Sequence, residues 1–119
     1  MKEIKKLSLK RIFKALVSLG LSESEARVYM FIETKGPAKT KRMATALQIN
    51  RTHLYRILKR LQDKRILKII VGRPAKFSAL PFEEALSLLI QCKKKNAKTA
   101  QNNKKELLSD WQIMIKKKS

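Results

Sequence analysis

The sequence predicts a mainly α, α+β fold: a winged helix-turn-helix with an N-terminal helix and a long C-terminal dimerisation helix. Three observations predict it. Between Gly36 and Leu80 two short helical patterns joined by a tight turn run into a basic hairpin. Ahead of them, residues 22 to 35 carry a capped amphipathic pattern, and behind them no Gly or Pro interrupts Phe82 to Ser119. The expected units are a winged-helix domain with its N-terminal helix over 1–80 and a helical, coiled-coil-like dimerisation segment over 81–119.

Ile4, Leu7, Ile12, Phe13 and Leu16 alternate with Lys at near-helical spacing, and Gly20 ends that run. Ser22 and Glu25 form a capping-box pair, so a helix is predicted over Glu23 to Lys35 with Val28, Tyr29, Phe31 and Ile32 on its inner face. Tyr29 and Phe31 read as core aromatics. Gly36-Pro37 closes the helix, because Gly tolerates the left-handed conformation after a helix end and Pro cannot continue it. Thr40 is expected to cap the next, two-turn helix, with Met43, Ala44 and Leu47 on one side. Gln48-Ile49-Asn50 breaks the pattern, and Asn50 suits the cap of a helix from Arg51 to Lys64. Leu54, Ile57, Leu58 and Leu61 are its buried stripe, leaving Arg51, Thr52, Tyr55, Arg56, Lys59 and Arg60 outward with no acid among them. Ile66 to Val71 and Ala75 to Leu80 are β-prone runs flanking Gly72-Arg73-Pro74, a turn with a cation at its tip.

The last third can form up to about 36 helical residues, some ~54 Å. Leu86, Ile90, Lys93, Ala97, Ala100, Lys104, Leu107, Trp111 and Met114 follow a spacing of four and three, a seam for a partner helix. Polar residues dominate Lys93 to Lys105, so a break is expected near Asn102-Asn103. A solvated basic tail and a two-helix hairpin folded back on the domain are the competing readings. The apolar set Leu107, Leu108, Trp111, Ile113, Met114 and Ile115 favours a dimer-forming helix, its antiparallel partner bringing Trp111 and Met114 near Leu86 and Ile90. The N-terminal helix can cover the same junction.

Charge agrees with this layout. The chain has 29 Lys and Arg against 9 Asp and Glu, a formal net charge of +20, which points to a polyanionic partner. Residues 39 to 80 hold 12 basic side chains and one acid, Asp63, so the excess peaks on the helix-turn-helix and hairpin. At 119 residues the chain has room for one modest core. It has neither a membrane-spanning apolar run nor a signal-peptide pattern, so a cytoplasmic, nucleoid-associated protein is expected. Cys92 is alone, which excludes an intrachain disulfide and a cysteine metal cluster and makes a free thiol the expected state. The single His53 has no carboxylate or thiol near it in sequence, and no phosphate loop occurs, so no enzyme activity, cofactor, metal or small-molecule ligand is expected.

Leu19-Gly20-Leu21-Ser22, Glu25-Ala26, Val28-Tyr29, Gly36-Pro37-Ala38, Asn50-Arg51, Leu54-Tyr55, Leu58, Gly72-Arg73-Pro74 and Pro81 with Glu83-Glu84-Ala85 stand in an order and spacing that resemble the DNA-binding domain of TrmB-like archaeal transcriptional regulators. The resemblance covers roughly residues 16 to 90. It implies that the helix from Arg51 enters the major groove with Arg51, Thr52 and Tyr55 near its reading end, and that the wing around Arg73 touches backbone or minor groove. Gln48 and Arg65 stand where the family often has Gly, departures expected to alter helix crossing and wing start. Long members continue into a sugar-binding domain that is not found in these 119 residues, so sugar sensing is not carried over.

The expected function is a sequence-specific regulator that binds double-stranded DNA as a homodimer, two reading helices addressing half-sites about one DNA turn, ~34 Å, apart or a multiple of it. Arg51, Thr52, Tyr55 and Arg56 are the expected base readers; Lys39, Thr40, Lys41, Arg42, His53, Lys59, Arg60, Arg73 and Lys76 are the expected backbone contacts. The expected dimer contacts are Leu86, Ile90, Ala97, Ala100, Leu107, Trp111 and Met114. The runner-up is an architectural, chromatin-like protein that coats DNA with little sequence preference. A protein-interaction module docking through the long helix is a third reading, and RNA binding a fourth, disfavoured by the lack of a base-stacking aromatic pattern.

Overall fold

A computed structural model describes residues 2–118. The elements run α1 (Lys2–Ser18), α2 (Glu23–Lys35), β1 (Ala38–Lys39), α3 (Thr40–Leu47), α4 (Arg51–Asp63), β2 (Leu67–Ile70), β3 (Lys76–Ala79), α5 (Phe82–Asn102) and α6 (Lys104–Lys118). The predicted hairpin is present as β2 and β3. The expected two-stranded wing is a three-stranded antiparallel sheet, in the order β1-β3-β2. The added strand is only two residues long, too short for alternation to reveal it in the sequence.

The capping box starts α2 as predicted. The Ser22 hydroxyl accepts from the Glu25 amide at 3.1 Å, and the Ser22 amide donates back to Glu25 Oε1 at 2.8 Å. Asn50 caps α4 by accepting from the Thr52 amide at 2.8 Å. Thr40 corrects the expectation: it is the first helical residue of α3, the cap position belongs to Lys39, and no side chain closes that end. The reason is β1, whose pairing with β3 carries the chain straight into the helix.

Three helices end alike. Leu21, Ile49 and Ile66 donate their amides five residues back, to Leu16 O at 3.1 Å, Ala44 O at 3.1 Å and Leu61 O at 3.1 Å. Each closure turns on a preceding residue of positive φ: Gly20 at 115°, Gln48 at 53° and Arg65 at 66°. Only the first is glycine.

One core joins the units. Leu16 of α1, Val28, Tyr29 and Ile32 of α2, Met43 of α3 and Leu54, Ile57, Leu58 and Leu61 of α4 are all buried, and Ala85 and Leu89 bring the first turns of α5 into the same cluster. Each large aliphatic side chain so buried contributes roughly 1.5–3 kcal/mol, an upper figure given residual burial in the unfolded chain. The Tyr29 hydroxyl donates to Leu80 O at 2.6 Å, tying α2 to the segment that leads into α5. Phe31, expected in the core, is only half-buried, and in α1 the apolar periodicity packs only from Ile12 onward, Ile4 and Leu7 being exposed.

The C-terminal third is helical throughout its described part, with the expected break at Asn103. Asn103 donates to Thr99 O at 3.0 Å and accepts from the Leu107 amide at 3.0 Å, so the backbone passes from α5 to α6 without a loop. Every described α6 side chain is exposed, so the second helix does not fold back on the domain. No helix among the described residues is long and apolar enough to cross a membrane.

Candidate nucleic-acid interface

The reading surface follows from the two faces of α4. Its back is Leu54, Ile57, Leu58 and Leu61, each 0–1% exposed, which fixes the rotation of the helix. Its front then holds Arg51, Thr52, Tyr55, Arg56, Lys59 and Arg60, all exposed, with His53 also exposed in the first turn. Positions 51, 55 and 59 and positions 52, 56 and 60 make two adjacent rows at helical spacing. Tyr55 stands 55% exposed although neighbouring apolar positions are fully buried. The side chain is held in water by the phase of the helix, where its ring and hydroxyl are available to a partner.

The sheet supplies a second basic surface. Lys39 of β1 and Lys76 of β3 are paired in register, and Lys76 also faces Ile70 of β2. Strand alternation puts Lys68, Lys76 and Lys39 on one side and Leu67 and Phe77, both buried, on the other. Like charges directly opposite one another disfavour the sheet unless an anion is shared between them. Lys68 was missed in the sequence although it lies in the β-prone run; its face became evident only once the register with Ser78 was fixed. Arg73 is exposed at the hairpin tip between Gly72 and Pro74.

Around α3 the expected contacts separate. Lys41 is exposed, whereas Thr40 is half-buried at the helix start. Arg42 is exposed and its guanidinium carbon lies 6.0 Å from the centre of the Phe31 ring, the outer limit of a cation–π contact. Arg27 donates from Nη2 to Leu47 O at 3.3 Å, bracing the end of α3 against α2. Hence the α4 front and the Lys39–Lys76 pair are basic surfaces free of internal engagement, while Arg42 also serves the packing of α3 on α2.

The residues expected at a dimer seam are spread along 86–114. Leu86 is half-buried, and Ile90, Ala97, Ala100, Leu107, Trp111 and Met114 are exposed. Lys93 is engaged within the chain, donating to Ser18 O at 2.5 Å.

Among solved structures, the chain is similar to the transcriptional regulator Tm0710 from Thermotoga maritima, at 18% identity and a TM-score of 0.58, covering 97% of this chain and 88% of that one. The ST1889 protein from Sulfolobus tokodaii aligns at 17% identity and a TM-score of 0.57 over 84% of this chain and 99% of that one. The oxidized form of MarR from E. coli aligns at 15% identity and a TM-score of 0.54 over 97% and 88%. These likenesses establish the fold. No curated protein matches the sequence. The model of the family described as sugar-specific transcriptional regulator TrmB matches residues 16–83, more than half of the chain and the whole helix-turn-helix and wing, and the chain therefore belongs to the TrmB family of transcriptional regulators.

Proposed function

We propose that this protein is a sequence-specific transcriptional regulator that binds double-stranded DNA as a homodimer in the cytoplasm. The observation that carries this reading is α4: a helix locked by a fully buried back presents two rows of cationic, hydroxyl and aromatic side chains with no acid among them. In the major groove, Arg51, Thr52, Tyr55 and Arg56 at its N-terminal end are the base readers, an Arg on a guanine edge being worth roughly 1–3 kcal/mol of discrimination. Lys59 and Arg60, with Lys39, Lys41 and Lys76 of the sheet side and Arg73 of the wing tip, take phosphates, and His53 and Thr40 lie at the margins of the same surface. The domain over 1–80 binds, and the segment over 81–119 pairs two copies through its apolar positions.

Selection of bound sequences from a random duplex pool at about 0.15 M salt tests this. Enrichment of an inverted repeat bound ~10³-fold above scrambled DNA supports an operator-directed regulator. Equal affinities with a steep salt slope would instead support a DNA-coating architectural protein, a reading favoured by the net charge of +20.

A further inference from the structure

Two apolar surfaces are left open. One is α6, where Leu107, Trp111 and Met114 stand 45–58% exposed. The other is a groove of about 860 Å³ between α1 and α2, closed at one end by Leu47 of α3 and walled by Leu9, Phe13, Val17, Met30 and Phe31. They match in length: Leu107 to Ile115 and Leu9 to Val17 each rise about 12 Å along their helices. They also match in charge. Lys10 and Lys14 edge the groove one helical turn apart. Glu106 and Asp110, also one turn apart, flank the Leu107–Trp111–Met114 stripe and are the only acids after Glu84.

We propose that α6 of one copy seats in the α1–α2 groove of a second copy, its apolar stripe covering Phe13, Val17, Met30 and Phe31 and its two acids facing Lys10 and Lys14. The occupant comes from another chain because α6 continues from α5 without returning to its own domain, all its described side chains remaining exposed. The exchange is reciprocal, so it closes as a two-fold dimer. It also reaches the helix-turn-helix. Phe31 in the groove wall carries Arg42, and Arg27 on the same wall holds Leu47 O, so an occupied groove braces α3 against α2 in the copy that receives the helix.

This inference rests on the homodimer reading, and the test separates the two. Chains carrying Cys92→Ser with Lys14→Cys are mixed with chains carrying Cys92→Ser with Asp110→Cys, and oxidised; a second mixture pairs Ile90→Cys with Met114→Cys chains in the same background. Light scattering gives the mass of the unmodified protein. The expected result is a dimer that cross-links through 14 and 110, with Asp110→Lys raising the dimer Kd at least tenfold and Lys14→Glu in the same chain restoring it. A dimer that cross-links only through 90 and 114 overturns the groove and leaves the homodimer reading standing. A monomer at working concentration overturns both. Positions 14, 90, 110 and 114 are exposed, so loss of the fold, checked by circular dichroism, is not expected to confound the outcome.

Discussion

Lys64, at the end of α4, reaches across to the first turn of α2, its Nζ 2.9 Å from both carboxylate oxygens of Glu25 and 3.3 Å from Gly20 O. Glu25 is thereby shared between two tasks: it closes the capping box on the Ser22 amide and it anchors the reading helix to the core helix. Its side chain is 4% exposed and that of Lys64 is 36% exposed, so the pair is buried on one side and wet on the other.

Acid should loosen this clasp. Burial pushes the Glu25 carboxyl up, but the Ser22 amide and then Lys64 together outweigh burial and hold it below its ordinary value of 4.5. A depressed carboxyl contributes stability that is complete above the unfolded value and is lost as pH falls through the folded one. Denaturation midpoints measured from pH 7 down to below 4 should therefore fall in the wild type, and fall less in Glu25→Gln. At neutral pH, Lys64→Met is expected to cost about 1–2 kcal/mol, discounted from a fully buried pair because the lysine is partly in water. An unchanged midpoint for Lys64→Met would mean that the pair contributes nothing to stability.

Gln48 and Arg65 hold the left-handed conformation without glycine, at φ 53° and 66°. That conformation costs an L residue roughly 1–2 kcal/mol, of which a glycine substitution recovers part after its larger unfolded-state entropy. Gln48→Gly and Arg65→Gly are each expected to raise stability by about 0.5 kcal/mol, read as a shift in urea midpoint with unchanged slope. A fall in midpoint for either would show that its side chain contributes more than the backbone conformation costs.

These two residues also show what the sequence could reveal. They were marked as departures from a glycine pattern, and the structure gives the cause: α3 and α4 end in the same left-handed closure as α1, which has Gly20. The elements that carry periodicity or a cap, α2 with Ser22 and Glu25 and α4 with Asn50, began where the sequence indicated, because their signals are local. Three features were not legible for the opposite reason. β1 exists only through its partner strand, Thr40 lost its cap role to that pairing, and the α1–α2 groove depends on the angle between helices that no spacing encodes.

The hydroxyl of Tyr29 makes the other long-range tie, to Leu80 O at 2.6 Å, with Glu33 Oε2 at 3.2 Å. Burial first, and then the Glu33 carboxylate, push the phenol well above its ordinary value, so it stays protonated and remains a donor across the whole accessible pH range. Tyr29→Phe keeps the ring in the core and removes only that donor. The expected loss is about 1 kcal/mol, with amide exchange accelerated around Leu80 and the first turn of α5. Exchange that rises evenly over the whole domain would argue that Leu80 is not the point at which the tie acts.

The two rows on α4 assign different work to its two ends. Arg51 sits in the first turn beside the Asn50 cap, and Lys59 sits two turns on, toward the C-terminal end. A helix entering the groove by its N-terminus places the former against base edges and the latter against phosphate. Arg51→Ala should therefore lower affinity for the selected operator by about 1–3 kcal/mol while leaving affinity for random duplex nearly unchanged, flattening the preference at one base position. Lys59→Ala should weaken both DNAs by the same factor and reduce the slope of log K against log salt by about 0.9, the signature of one lost phosphate contact. Competition titrations of both variants at three salt concentrations give the comparison. Equal losses on operator and random DNA for Arg51→Ala would place that arginine on the backbone and move base reading to Thr52, Tyr55 and Arg56.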